Sequence, residues 1–440
     1  MRRRLLDDGG GGKVGRKTFG LLKTSWLYQT KQFFDNSSLH GVRYIAEEGR
    51  PTIEKLMWFV FVLSGAIVTL IIIASLWEKF QTNPTITGLD TDFHSWDVPF
   101  PGVSICPTSP ANSTLIEEYV AKKWDKVTDQ TKLELYTKFV NDVANLSYAT
   151  LANMAEYGKV PELRKMSQLR ELLYSVVEKC EDLLKDCNWK GEAYSCCQGF
   201  KPTFTENGFC YTFNSIHVEK TWPWKSAQTV TDTQVNYIYE TDSKWAVSFD
   251  VFELKNNTLK IFIHSYDELP GVDMAPQHIW NRKVNSIYFA SRTTYTTNDA
   301  RQLSPKQRKC VFEDEIKLPT HDKYSYWGCM THCRMAYARS KCSCVPFFYH
   351  KVDGFPYCDV EGLSCLAEYT EDMGASMNCP CMLGCMNVVY EVEKVTDVTS
   401  ERLEPLEVGF VSWPMIQYKR EVLFGWVDLL GESNIFFSLI

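Results

Sequence analysis

No cysteine precedes Cys106 in this chain of 440 residues, although sixteen occur from there onward. That imbalance argues against a single redox environment for the whole molecule, because structural thiols in such number belong on an oxidising side. A basic excess is also lacking: the formal net charge is -7, which argues against a nucleic-acid partner. Neither an HExxH, a GxSxG nor a P-loop pattern occurs. Nothing therefore nominates a metal-bound water, a serine nucleophile or a phosphate cradle, and neither enzymatic activity nor a cofactor is expected. No internal repeat is found, which excludes a solenoid. Disorder is excluded for the bulk of the chain by 45% hydrophobic against 23% charged residues.

Charge is absent altogether from residues 56–77, a run of 22 residues reading LMWFVFVLSGAIVTLIIIASLW. As a helix it would measure about 33 Å, enough for a hydrocarbon core of roughly 30 Å. A transmembrane helix is expected there. It is too long for the apolar part of a signal peptide and begins too far from Met1 to be one. Residues 1–55 hold eleven Lys/Arg and six Asp/Glu, so this segment should stay in the cytosol. Its +5 leaves -12 for the rest of the chain, so an acidic, cysteine-bearing region should face the outside at the plasma membrane. Three sequons lie in that region, at Asn112, Asn145 and Asn256, and each would suit a glycosylated surface loop. The sequon at Asn36 falls on the cytosolic side and should be unused.

Periodicities alternate in the outer region, which points to an α+β domain. Leu163, Met166, Leu169, Leu172, Leu173, Val176, Val177, Cys180 and Leu184 recur at helical spacing, so residues 162–186 are expected to form an amphipathic helix. A second helix is expected around residues 115–140. Phe249, Val251 and Phe252, a turn at Asn256 and Asn257, then Leu259, Ile261 and Ile263 read as a β-hairpin. Residues 287–296 are β-branched and aromatic enough for a further strand. The glycines at 9–12 read as a flexible linker. The eight histidines are expected to be solvated surface groups rather than proton sensors.

Cysteine spacing is more informative than cysteine number. Cys329 and Cys333 would share one face of a helix, about 6 Å apart, and Cys379 and Cys381 one face of a strand, about 6.6 Å apart. Two such pairs can face each other as rungs of a ladder. Cys342, Cys344, Cys358 and Cys365 could close a second set of bridges. Zinc is the rival, but the thiols would be oxidised outside the cell and no pair has the two-residue spacing of the usual finger type. Spacing alone leaves the connectivity open.

Four motifs stand in order along the chain: His40-Gly41 before the apolar run, Phe100-Pro-Gly-Val-Ser-Ile-Cys106-Pro after it, Gly208-Phe-Cys210-Tyr-Thr-Phe-Asn214, and the cysteine block from Cys310 to Cys385. Together they resemble the degenerin/epithelial sodium channel family. Residues 406–420, LEVGFVSWPMIQYKR, are similar to the pre-pore region of insect pickpocket subunits, so the likeness runs from about residue 35 to about 430. The resemblance implies an α+β membrane protein with a large disulfide-rich ectodomain, a β-sheet core, a helical finger (about 110–200) and a thumb (about 310–385) within residues 78–421. It implies one subunit of a homo- or heterotrimeric, amiloride-sensitive sodium channel, in contact with sodium ions and membrane lipid and gated by an extracellular ligand or another stimulus. It also implies the bridges Cys310–Cys385, Cys329–Cys381, Cys333–Cys379, Cys342–Cys365 and Cys344–Cys358 in the thumb, with Cys106–Cys210 and Cys187–Cys196 elsewhere. Cys180 and Cys197 then remain, and pairing them leaves no thiol free. His40 and Gly41 would be the cytosolic gating element.

The likeness weakens after Leu430. A second membrane helix with a Gly/Ser-x-Ser filter is implied, whereas residues 431–440 read GESNIFFSLI. Residues 422–440 are barely long enough to span, and Asp428 and Glu432 would each cost about 2.5–3.5 kcal/mol at the bilayer centre. The second helix is thus expected to be incomplete, only the start or a remnant. A shortened, single-span glycoprotein that modulates full-length subunits is the alternative expectation.

Overall fold

A long uncharged segment flanked by prolines can satisfy its backbone internally only as a helix, and the computed structural model has one there. The structure describes residues 25–26, 28–34, 36–37, 41–219, 222–223, 235–252, 258–374, 377–398 and 404–423. After a short helix α1 (Val42–Ala46), α2 (Thr52–Thr82) runs for 31 residues, about 46 Å at 1.5 Å per residue. Pro51 precedes it, and Pro84 disfavours helical backbone at Asn83, where it stops. Glu54 in the first turn and Lys79 in the last complement the helix dipole. Apolar side chains on α2, among them Leu56, Phe59, Val60, Leu63, Ile67 and Leu70, are exposed.

The chain forms two units. One gathers the described residues up to Ile86 with Asn298–Arg308, which include α8 (Pro305–Arg308), and those from Glu421. The other holds Thr87–Thr297 and Lys309–Arg420.

The larger unit is built on two sheets that share one buried core. In the smaller sheet, β3 (Gly102–Pro107), β6 (Phe200–Thr205), β7 (Gly208–Phe213), β10 (Leu259–His264) and β11 (His278–Trp280) lie in the order β11-β10-β3-β7-β6, all antiparallel. The larger sheet is mixed. It contains β1 (Thr85–Asp90), β4 (Leu184–Trp189), β5 (Glu192–Ala193), β9 (Ala246–Val251), β12 (Val284–Thr296), β14 (Leu406–Phe410) and β15 (Gln417–Val422), in the order β1-β15-β12-β14-β9-β4-β5, with β13 (Met386–Asp397) also on β12. A two-residue ladder joins β2 (Val98–Pro99) to β8 (Tyr237–Ile238).

Phe100 is fully buried where the sheets meet, its ring centroid 4.6 Å from Trp189, 5.9 Å from Phe213, 6.2 Å from Phe289 and 6.1 Å from Phe410. The Phe100-Pro-Gly stretch is thus a core element. Gly102 lies opposite His264, and a Cβ there would sit 2.4 Å from the imidazole. The space it leaves lets His264 Nε2 reach Ser104 Oγ at 2.8 Å, which itself lies 2.8 Å from Thr212 Oγ1. A buried polar trio is satisfied in this way, as buried polar groups must be.

Around the sheets pack α3 (Ser113–Lys123), α4 (Gln130–Ala144), a 3₁₀ stretch (Tyr148–Lys159), α5 (Leu169–Val176), α6 (Cys180–Leu183) and α7 (Cys196–Gly199). A second helical group holds α9 (Tyr326–Cys342), α10 (Val360–Ala367) and α11 (Thr370–Met373).

Four sequence expectations are corrected. The single helix over 162–186 is broken: only α5 and the one-turn α6 are helical, and Leu184 opens β4. Leu163 and Met166 instead sit in four-residue turns, where Leu163 N–H donates to Val160 O and Met166 N–H to Leu163 O. Spacing of three therefore came from turns, and the shared burial from a common core. The helix expected over 115–140 is two, because Asp129 caps a new helix by accepting from Thr131 N–H. The hairpin is absent: β9 pairs with β14 and β4, while β10 pairs with β3 and β11, in different sheets. Both strands are buried on both faces, so alternation could not assign them to one ribbon. Cys379 and Cys381 lie on chain outside any strand. The strand expected at 287–296 is the greater part of β12.

Candidate functional site

Gly41 has φ +83 and occupies the N-cap of α1. A Cβ at Gly41 would lie 3.1 Å from both Trp58 and Val62, so the position requires glycine for conformation and for space. Tyr44 packs on Trp58 at 4.8 Å, and the Arg50 guanidinium lies 4.6 Å above the Tyr44 ring while pairing with Glu47 and Glu54. The glycine thus folds α1 back on the apolar helix. Gly41→Val is expected to speed amide exchange across residues 42–46 roughly tenfold, since a left-handed backbone costs a residue with Cβ about 1–2 kcal/mol. Exchange at the wild-type rate would show that α1 does not depend on the glycine. His40 lies outside the described residues, as do Asn256, the linker at 9–12 and residues 424–440.

All sixteen cysteines are paired. Cys329 and Cys333 project from α9 to Cys381 and Cys379, with Cα separations of 5.8 and 6.3 Å. Cys310–Cys385 closes the base of the same lobe. Cys342–Cys365 ties α9 to α10, and Cys344–Cys358 lies beside it. Cys106–Cys210 joins β3 to β7, while Cys180–Cys197 and Cys187–Cys196 staple α7 beneath β4. Among the described residues no group of three His, Cys, Asp or Glu is placed to hold a metal.

At the middle of α9 five segments meet on a buried charge. Arg334 is fully buried; its Nη1 donates to Glu206 Oε2 at 2.9 Å and its Nη2 pairs with Asp273. Glu206, in the β6–β7 turn, also accepts from Val272 N–H and from the Tyr349 hydroxyl, both at 2.8 Å. Tyr148 lies 2.8 Å from Tyr349 through their hydroxyls. Burial, then the Glu206 carboxylate, pushes both phenols upward. Burial opposes the Arg334 charge, yet Glu206 and then Asp273 outweigh it and raise its pKa. Sequence reasoning passed over this junction. The signal was an arginine on the stripe Met330, Arg334, Ala338, which is otherwise apolar and buried.

The histidines differ from their expectation. His94 is exposed, but His264 is buried and His217, His278, His321, His332 and His350 are half-buried. Rings of His217, His321 and His350 meet pairwise, with centroids 5.5, 6.4 and 5.2 Å apart. Burial is the first cause that lowers all six pKa values below the usual imidazole value, to about 4 for His264 and about 3 for His321. Three distant sequence positions brought together leave no local periodicity to read.

The two described sequons sit at helix ends. Asn112 caps α3 by accepting from Thr114 N–H at 3.0 Å, and Asn145 ends α4 with its Nδ2 3.1 Å from Asn141 Oδ1. Both are half-buried.

Comparison with known proteins adds the family. The sequence profile described as amiloride-sensitive sodium channel matches residues 33–435. The match runs to residue 435, past the point where the motifs fade. Sodium channel protein Nach of Drosophila ananassae is 24% identical over 391 residues, covering 85% of this chain and 72% of that protein. Pickpocket protein 19 of Drosophila melanogaster is 20% identical, covering 82% and 76%. Acid-sensing ion channel 2 of Homo sapiens is 23% identical, covering 84% and 72%.

Proposed function

The chain belongs to the amiloride-sensitive sodium channel family, and from that membership we propose that it is a subunit of a trimeric sodium channel of the plasma membrane. The observation that carries the proposal is the family match over residues 33–435. α2 is the first membrane helix, residues 1–55 are cytosolic and the bridged unit is extracellular. This topology is supported by the exposed apolar surface of α2 and by eight bridges, all after it, that need an oxidising side. Association is supported by Met386, Val389 and Val395 on β13, and by Met415 and Ile416 before β15, which are large apolar side chains left exposed. His40 and Gly41 act in gating from the cytosolic side, and Asn112, Asn145 and Asn256 carry glycans. The partners are sodium ions, lipid, related or identical subunits and an extracellular stimulus. Chemistry on a substrate is not part of the role.

The test is amiloride-sensitive sodium current in cells expressing the chain alone and with a related subunit, together with sidedness of two tags. A tag before Met1 should be reached by antibody only after permeabilisation, and one in the turn at Asp242 without it. No current in either setting, at normal surface delivery, would sink the conducting role. A second reading, of a subunit that modulates others without conducting, draws on Asp428 and Glu432 in the apolar segment 422–440. A partner's current reduced in proportion to this chain, with none from the chain alone, would favour it.

A further inference from the structure

We propose that His217, His321 and His350 form a proton-linked latch that fastens the segment after β7 to the two chain segments flanking α9, and that acid loosens it. The three rings come from three separate segments and touch only because those segments are closed on one another. Each ring is anchored on one side. His217 Nε2 donates to Asp267 O at 2.6 Å, His350 Nε2 to Thr320 O at 2.5 Å, and His321 Nδ1 lies 2.9 Å from Thr320 Oγ1. His321 meets the other two rings edge to face, at 74° and 82°, and His217 stacks on His350 at 25°, an arrangement in which adding one proton discourages the next.

The charged and titratable surroundings are mixed. Asp267 and Glu268 face the cluster from the connection after β10, Asp322 and Lys323 from beside His321, His332 from α9, Arg170 from α5 and His264 from the end of β10. Arg170 is held by Glu219, Phe347 O and Tyr349 O, and Lys323 by Glu313, so both are already engaged. Glu268 shares with His321, Ser325 and His350 a cavity of about 30 Å³, room for about one water. Burial raises its carboxyl to about 8, so it is mostly protonated and offers the imidazoles no countercharge at neutral pH.

Two opposite linkages follow. The histidine pKa values are lowered when closed, so their contribution is present above about 6.5 and lost as pH falls toward the depressed values. Glu268 is raised when closed, so its contribution is present below about 4.5 and lost as pH rises through about 8. Between about 4.5 and 6.5 opening therefore takes up protons at as many as three imidazoles and releases one at a carboxyl. The histidines win, and closure is tightest near pH 6.5.

The latch concerns the larger unit by itself and rests on the channel reading only for its effect on current. Hydrogen exchange of the purified full chain in detergent, corrected for intrinsic rates, tests it without any current. A chain that never conducts can pass, and one that conducts can fail. Opening of amides in residues 214–219, 318–324 and 345–350 should rise at least tenfold from pH 6.5 to 5.0, since over that interval each released imidazole is worth about sixteenfold and the Glu268 carboxyl opposes by about twentyfold, so that two imidazoles already leave about tenfold. Amides of β3 and β7 should not change. Substituting all three, H217Q with H321Q and H350Q, should abolish the rise, and H321Q alone should lower it several-fold if the triple variant does not fold. A wild-type rise below threefold, or an undiminished rise in either variant, overturns the latch.

Discussion

Arg334→Met is expected to lower the thermal midpoint of the purified chain by roughly 10 °C, the largest effect of any single side chain at the junction on the middle of α9. Breaking a buried ion pair from one side costs about 3–5 kcal/mol, because the partner charges stay behind without compensation. Here two carboxylates stay behind, Glu206 and Asp273. Glu206 keeps the Tyr349 hydroxyl and Val272 N–H, whereas Asp273 Oδ1 already lacks a partner. Asp273 should therefore take the larger share of the penalty. Adding Glu206→Gln and Asp273→Asn to Arg334→Met should recover part of the loss, since the stranded charges are then gone. A midpoint within 2 °C of wild type for Arg334→Met would show that the junction relaxes or hydrates instead. Tyr349→Phe, which removes one neutral donor from Glu206 and the hydroxyl partner of Tyr148 but strands no charge without its arginine, should cost less, about 1–2 kcal/mol.

The comparison of Arg334 with the cysteines explains what could be read in the sequence. Cys329 and Cys333 lie one helical turn apart on α9, so the residue type and its spacing together implied a face. The apolar helix was legible for a similar reason: a run without charge has few ways to fold, and only its ends moved, from 56–77 to Thr52–Thr82. Strands were legible one by one but not their partners. Leu259 to His264 reads as a strand from its β-branched residues, yet its neighbours are β3 and β11, more than 150 residues before and about 18 after. Burial on both faces erases the alternation that would tell a hairpin from a sheet interior. The Arg334 junction and the histidine cluster were less legible still. The charges of the junction are 61 and 128 positions from Arg334, and the histidines 29 to 133 from one another, and neither a spacing nor a composition marks which arginine or histidine the fold will enclose. Gly41 is intermediate, since a glycine before a helix hints at a turn but not at Trp58 above it.

Removing both outer rungs of the bridged lobe should cost far more than removing either. Cys329–Cys381 and Cys333–Cys379 span 52 and 46 residues of sequence, and each alone would constrain the unfolded chain by about 4 kcal/mol. Together they are nested. With one rung in place the other closes a ring only about eight residues around, worth about 2.5 kcal/mol on the same scale. Cys333→Ser with Cys379→Ser should therefore cost about 2–3 kcal/mol and still reach the cell surface in reduced amount. Adding Cys329→Ser and Cys381→Ser leaves only Cys310–Cys385 to hold that end of α9, and the total should rise to about 6 kcal/mol. A loss of that size is comparable to the whole stability of many domains, so the fourfold variant should be retained inside the cell. Surface biotinylation of the two variants beside wild type measures the difference. Equal surface delivery of wild type and the fourfold variant would show that α9 is held by its buried contacts, Arg334 first among them, and that the rungs add rigidity without being needed for folding.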